Sequence, residues 1–392
     1  MTTRCAIAGV GITPFGKSPE ATVRTLAESA VKQAMQDAGI EAQQVGQVYF
    51  ANAVAGLITG QEMIRGQAAL RYTGLAGKPI INVENACASS STAFYLAWNA
   101  VRSGQADVVL VVGSEKMTHE DKRVSFGAFA TAVDLEEPTP AHVGTGSGSI
   151  FMDIYAEKTR KFMKASSATA ADFARIVVKS RNAGAANPIA QFRKPTTVDE
   201  VLSSRMVSDP LTLPMCSSIS DGAAALVLCS AAAARRLGVA QPVWVAGSVL
   251  VSGTGDTTQP ICAERASAAI YELSGIGPSD LHVVELHDAT APAELMHYEN
   301  LSLCARGTAI DLLRSGATDM GGRISVNPSG GLMSRGHPVG ATGAAQLVEL
   351  TYQLRGSAGA RQRPAAKVAL AENNGGQMGP DAAAAVATIL HV

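Results

Sequence analysis

Charge is scarce in this chain. Of 392 residues only 17% are charged, and 32 Lys plus Arg against 33 Asp plus Glu leave a formal net charge of -1. So even a balance supplies no field for recruiting nucleic acid or an anionic membrane, and neither is expected as a partner. Long apolar runs are missing too. The hydrophobic fraction is 47% and the mean hydropathy +0.14, but glycines break the Ala and Val runs short of the roughly 18 residues of a membrane span. Cysteines are few and scattered: Cys5, Cys87, Cys216, Cys229, Cys262 and Cys304 form no CxxC pair and no close Cys/His set. Neither a disulfide framework nor a cysteine-based metal site is signalled. The start, Met1-Thr2-Thr3-Arg4-Cys5, runs straight into strand-like Ala6-Ile7-Ala8-Gly9-Val10 without a basic segment, apolar stretch and cleavage site, so a soluble, cytoplasmic protein is expected. The charged fraction lies below the roughly 25% of an average domain, while glycine reaches 38 residues, which predicts surface covered by other protein, hence an oligomer.

What the chain does have is an internal repeat. An amphipathic helix from about Thr25, with Leu26, Ala30, Val31, Ala34 and Met35 at helical spacing, stops at Ala38-Gly39-Ile40. Five residues after Ile40, Val45 opens the strand-like Val45-Gly46-Gln47-Val48-Tyr49-Phe50. More than two hundred residues later a helix around Ala266 to Leu273 stops at Ser274-Gly275-Ile276, and five residues after Ile276 Leu281 opens Leu281-His282-Val283-Val284-Glu285-Leu286. Matching strands precede both helices and matching strand–loop–helix–strand sets follow, which predicts two similar α/β halves. Between Met117 and Met215 the pattern breaks: Glu136-Glu137-Pro138-Thr139-Pro140 reads as loop, a helix follows from about Ile150 to Met163, and Arg193-Lys194-Pro195 is charged and Pro-containing. An insertion carrying a lid or substrate loop is the reading. The expected domains are residues 1–116 with 215–240, an inserted 117–214, and 241–392.

Three side chains stand where chemistry is done. Cys87 lies between a strand ending near Val83 and a helix starting near Ser89, where a helix N-terminus favours a thiolate; the alternative is a small buried hydrophobe. His337 sits in a glycine-rich stretch from Asn327 to Gly343, in the loop of the second half that corresponds to the Cys87 loop of the first. A pseudo-twofold axis would bring both loops together, so that the imidazole takes the thiol proton. His287-Asp288 ends a strand, where a histidine can donate to a developing oxyanion. The last loop, Glu372-Asn373-Asn374-Gly375-Gly376-Gln377-Met378-Gly379, offers backbone N–H groups for a second oxyanion site.

Asn85-Ala86-Cys87-Ala88-Ser89-Ser90, Ser220-Asp221-Gly222-Ala223-Ala224, the Gly336-His337-Pro338 stretch to Gly343 and the closing glycine loop together resemble the thiolase superfamily over essentially the whole chain. The resemblance implies the α/β thiolase fold: two pseudo-symmetric β-α-β-α-β-α-β-β halves in a five-layered α-β-α-β-α arrangement with an inserted loop domain. It makes Cys87 the nucleophile, His337 its base and part of a first oxyanion hole, and the backbone N–H groups of Cys87 and Gly375 the second hole. Coenzyme A and acyl-CoA enter as substrates, with no permanently bound cofactor and no metal. His287-Asp288 with Asn327-Pro328-Ser329-Gly330-Gly331 resembles the sterol-carrier-protein type, which places His287 beside His337 in the first hole. Where thiolases carry a second, acid/base cysteine this chain has Asn373, and the sterol-carrier alternative position holds Ala289. His287 serves in its place, or Cys216 reaches the site, or the chain mainly transfers acyl groups; His287 is favoured. The expected activity is cleavage or formation of 3-oxoacyl-CoA through a Cys87 thioester. The alternatives are an acyltransferase or condensing enzyme of the same fold, and a thiolase-like subunit needing a small OB-fold/zinc-ribbon partner. Family analogy and low charge favour a homodimer as the minimum, with a tetramer open.

Overall fold

A computed structural model describes residues 3–137 and 147–392; Pro138, Thr139 and Pro140, read above as loop, lie outside them. The first half contributes β1 (Cys5–Ile12), β2 (Gln47–Ala51), β3 (Ile80–Val83), β4 (Val108–Glu115) and, after the insertion, β7 (Gly222–Ser230). A short hairpin of β5 (Met206–Ser208) and β6 (Leu211–Thr212) lies within the insertion. The second half supplies β8 (Val243–Ser252), β9 (Val283–Glu285), β10 (Ser325–Val326), β11 (Val368–Gly375) and β12 (Ala384–His391). Within the halves the strand orders are β3-β2-β4-β7-β1 and β10-β9-β11-β12-β8, the same order by counterpart, with parallel pairs at β2 and β9 and antiparallel pairs at β7 and β12. The two halves join into one ten-stranded sheet through a seam of only two residue pairs, Ala6 with Trp244 and Ile7 with Val243.

Alternation along the strands builds the layers, because successive side chains leave a strand on opposite faces. In β4, Val109 and Val111 face a core shared by both halves, which also holds Phe94 and Ala97 of the helix Ser89–Arg102 and Ala344, Leu347 and Val348 of the helix Thr342–Leu354. Val108, Leu110 and Val112 face outward onto Leu26, Ala30, Val31 and Ala34 of the helix Val23–Ala38. On the far side, Leu370, Ala385, Ala387 and Ile389 pack on Cys262, Ala266 and Ile270 of the helix Cys262–Ser274. The sequence of layers is therefore helix, sheet, paired helices, sheet, helix, as the thiolase fold requires.

The insertion is more helical than its sequence pattern shows. Besides Ile150–Ala165 it holds Ala170–Ala185, whose Phe173, Ile176 and Val177 join the core of the second half. Asn187 donates to the Ser329 carbonyl at 2.8 Å, and the N–H groups of Gln191 and Phe192 donate to the carbonyls of Arg335 and Ser334. The insertion thus clamps the loop that carries His337.

Candidate active site

Cys87 occupies a single 3-10 turn, Ala86–Ala88, ahead of the helix Ser89–Arg102. Ala86 holds φ at 48°, a left-handed conformation that costs a residue with a Cβ and recurs where function over-determines the backbone. The loop is packed from below by Gly375, where a Cβ would stand 2.1 Å from the Asn85 carbonyl oxygen. The backbone N–H groups that favour the Cys87 thiolate are those of Cys87 itself and Gly376, the latter one residue beyond Gly375.

The helix N-terminus does not make this thiol acidic. Burial, reinforced by the Glu115 carboxylate, pushes Cys87 up to about 12, against the two backbone N–H groups that favour the thiolate. Desolvation wins because the helix dipole is worth a fraction of what excluding water from an anion costs. Glu115 is itself raised to about 7 by burial. It accepts from the N–H groups of Ala53, Ala55 and Gly340 at 2.8, 2.8 and 2.9 Å, tying the Cys87 side of the cavity to the His337 loop; a Cβ on Gly340 would come within 2.5 Å of that carboxylate.

Both predicted histidines reach the cysteine. The Cys87 sulfur, one ring nitrogen of His287 and one of His337 lie within 4.8 Å of one another, and the two imidazoles meet edge to face with centroids 5.3 Å apart. The same three donors are types that ligate zinc, so the triangle is equally a place where a soft metal ion would compete with chemistry.

Their hydrogen bonds set the two rings in opposite tautomers. Thr342 donates its single hydroxyl proton to the Pro338 carbonyl at 3.0 Å, so at 2.8 Å from His337 Nδ1 it accepts, and Nδ1 carries the hydrogen. His337 Nε2 is left with a lone pair. Ser220 accepts from the His337 backbone N–H at 3.1 Å, which is what the Ser220-Asp221-Gly222 segment contributes. At His287, Asn373 Nδ2 stands 2.9 Å from Nδ1 and its Oδ1 3.0 Å from the Ser91 hydroxyl, which also stands 2.9 Å from the Ala88 carbonyl; in this orientation the amide donates to Nδ1 and the hydrogen stands on Nε2. Both rings are held neutral. Burial, with Arg335 nearby, lowers His337 to about 3, and burial with His337 and His297 lowers His287 well below the usual imidazole range.

A cavity of about 1280 Å³ opens on this centre. Cys216 lines it; its backbone bridges Thr290, the Ser217 N–H donates to the Ala289 carbonyl at 2.9 Å, and burial pushes its thiol up to about 12. It therefore lies beside the position that lacks a cysteine. Of the bases in the insertion, Lys161 lines the cavity, whereas Lys164, Arg181 and the Arg193-Lys194 pair do not. Sequence reasoning missed Tyr155 and Lys158, one turn apart on the insertion helix, and His297, all of which line it. His297 Nδ1 stands 3.8 Å from Glu372, whose Oε2 accepts from the His287 backbone N–H. Only the i, i+3 spacing of Tyr155 and Lys158 hinted at a shared face.

Residues 5–232 match the thiolase N-terminal domain and residues 248–390 the thiolase C-terminal domain-like family. The chain is 39% identical to the benzoylsuccinyl-CoA thiolase subunit BbsB of Thauera aromatica, with 94% of each chain covered. It is 37% identical to an acetyl-CoA acetyltransferase of Methanothermobacter thermautotrophicus over 95% of this chain and 97% of that one. It is 36% identical to human sterol carrier protein 2, over 95% of this chain and 70% of that one. Among solved structures it resembles the Ltp2-ChsH2(DUF35) aldolase, with a TM-score of 0.79 at 26% identity and coverage of 99% and 98%.

Proposed function

The chain belongs to the thiolase family of acyltransferases, and from that premise we propose that it cleaves or forms 3-oxoacyl-CoA through an acyl thioester on Cys87. The observation that carries this reading is the triangle of Cys87, His287 and His337 within 4.8 Å, facing a cavity of about 1280 Å³. In the thiolytic direction Sγ attacks the 3-oxo carbon as His337 Nε2 takes the thiol proton. Cleavage of the bond between C2 and C3 leaves its electron pair on C2 of the departing CoA thioester, and the imidazolium returns the proton there. Free coenzyme A then attacks the acyl thioester, its thiol proton passing to His337 and on to the released Cys87 sulfur. Each half-reaction takes up one proton and gives one back, so one imidazole balances the cycle without a second cysteine.

His287 has a different task in this scheme. With Nδ1 accepting from Asn373, surrender of the Nε2 proton would create an imidazolate, so the ring serves as a fixed donor to the oxygen on which charge develops. This replaces the expectation that His287 carries the second proton. Asn373→Asp is a direct test, since a carboxylate accepts where the amide donates. At alkaline pH the variant's His287 presents a lone pair to the cavity, and kcat/KM is expected to fall about 10²–10³-fold. Because the new carboxylate raises the His287 pKa, lowering the pH charges the ring, restores the Nε2 donor and returns part of the activity. A pH profile that falls in parallel with the wild type would remove Asn373 from this role.

The assay for the reaction itself is thiolysis of acetoacetyl-CoA by free coenzyme A, followed as acetyl-CoA formed, with the mass of the active species measured by light scattering. A homodimer is the proposed unit. Its support is the low charged fraction of 17% and the two ends of the sheet, β3 and β10, each of which leaves one edge unpaired among the described residues. A partner chain is the second reading, favoured because BbsB is named as a subunit and the Ltp2 structure is a complex with a DUF35 protein. Turnover by the homodimer alone establishes the first reading. Acylation of Cys87 without turnover establishes the second.

A further inference from the structure

Lys158 is a cation in the cavity without a carboxylate of its own. Its ammonium donates to Gln377 Oε1 at 3.0 Å and stands 5.9 Å from the Tyr155 ring centroid. The acids around it are engaged elsewhere. Glu157 pairs with Lys161 at 2.6 Å, and Asp381 accepts from the N–H groups of Cys262 and Ala382, each at 2.8 Å, with Arg265 at 3.8 Å. Among the described residues no carboxylate oxygen lies within 4.0 Å of Lys158 Nζ. Burial lowers its pKa to about 8, against the pull of Asp381, so an ammonium here gains from an anion that enters with the substrate.

Phe126, Phe129, Phe151 and Tyr155 line the same cavity, and Phe129 packs in the cluster that includes Cys87. Tyr155 links the two regions: the Cys87 and Glu372 charges reach its hydroxyl, and Lys158 follows one helical turn later. An apolar body beside the nucleophile with a positive charge one turn away is complementary to an acyl chain that ends in an acid.

We propose that Lys158 binds a carboxylate carried by the acyl group, so that the cavity selects CoA thioesters of dicarboxylic acids. The assignment rests on the thiolase reading for its chemistry, but its test reads binding and stands apart from turnover. Adipyl-CoA and hexanoyl-CoA, of equal chain length with and without the terminal carboxylate, are titrated calorimetrically into the wild type, Lys158→Met and Lys158→Arg. The wild type is expected to bind adipyl-CoA about 10–100-fold more tightly, the range of one hydrogen bond to a charged group. Lys158→Met loses that preference while its hexanoyl-CoA affinity stays within about threefold, and Lys158→Arg keeps it. In the wild type the preference declines as the pH is raised above 8, as the ammonium loses its proton. Equal affinities for the two thioesters in the wild type would overturn the proposal. So would a Lys158→Met variant weakened equally toward both, which would assign Lys158 to a phosphate of coenzyme A. Failure of Cys87 to take up an acyl group from any CoA thioester, together with a Lys158-dependent adipyl preference, would remove the thiolase reading and leave the subsite.

Discussion

Acetyl-CoA is expected to leave one acetyl group on the wild-type chain, discharged by free coenzyme A, and none on Cys87→Ala. Turnover in the variant falls on the order of 10⁴-fold or more, the scale on which removal of a covalent nucleophile acts. The other five thiols explain why the experiment discriminates. Cys5, Cys216, Cys229 and Cys262 are buried, and burial raises their thiols as it raises Cys87, so nearness to a base rather than acidity separates them. Cys304 is half-buried like Cys87 but does not line the cavity. Among the described residues, Cys87 alone has two imidazoles within 4.8 Å. Intact-mass measurement with peptide mapping checks the site, and an adduct that persists in the variant would move the nucleophile to Cys216. Because the Cys87 thiol lies near 12, its alkylation by iodoacetamide should rise about tenfold per pH unit from 6 to 9. A pre-formed thiolate–imidazolium pair would instead give a plateau in that range.

The repeat that marks the two halves was legible because each copy carries its own stop signal: Gly39 and Gly275 end their helices with φ of 64° and 68°, where a Cβ is costly. The meeting of Cys87 and His337 followed from the repeat, since a pseudo-twofold pairing of loops is a property of topology, whereas His287 was placed beside them by the resemblance to the sterol-carrier-protein type. Strand length in the second half was not legible. Leu281 to Leu286 reads as a full strand, yet β9 spans only Val283–Glu285. The Leu286 N–H donates to the Asn327 side chain at 2.9 Å and the His287 N–H to Glu372 at 3.1 Å. Side chains from distant loops thus take over the ladder where the site begins. The thiol pKa escaped sequence reasoning for the same cause: a helix N-terminus is local, whereas the burial and the Glu115 carboxylate that raise Cys87 come from tertiary packing. Lys158, Tyr155 and Asn373 acquire their roles only where the insertion and β11 meet the cavity.

His337→Gln separates the proton shuttle from the nucleophile. Glutamine keeps a polar group of similar reach but no basic nitrogen, so kcat should fall about 10²–10⁴-fold, the usual contribution of a positioned general base. The pH behaviour tests the assignment more sharply than the rate. With His337 near 3 and Cys87 near 12, both are neutral across the working range, and wild-type kcat/KM should show no imidazole ionisation near 6.5; a limb from Glu115, raised to about 7, persists in His337→Gln. A limb at 6.5 that vanishes in the variant would mean that the resting imidazole is charged. The same depression acts on stability with the opposite consequence. A histidine whose folded pKa lies below its unfolded value of about 6.5 costs stability as the pH falls, because the unfolded chain takes up the proton first. That loss sets in below about 6.5 and saturates once the folded ring also titrates, near 3. His337→Gln should therefore tolerate acid better than the wild type while catalysing worse, and thermal melts between pH 7 and 4 read the difference directly. The penalty left in the variant belongs to His287, lowered in the same direction, so the gain is partial: the neutrality that lets one ring accept a proton and the other donate a hydrogen bond is maintained by burying both against their own tendency to charge.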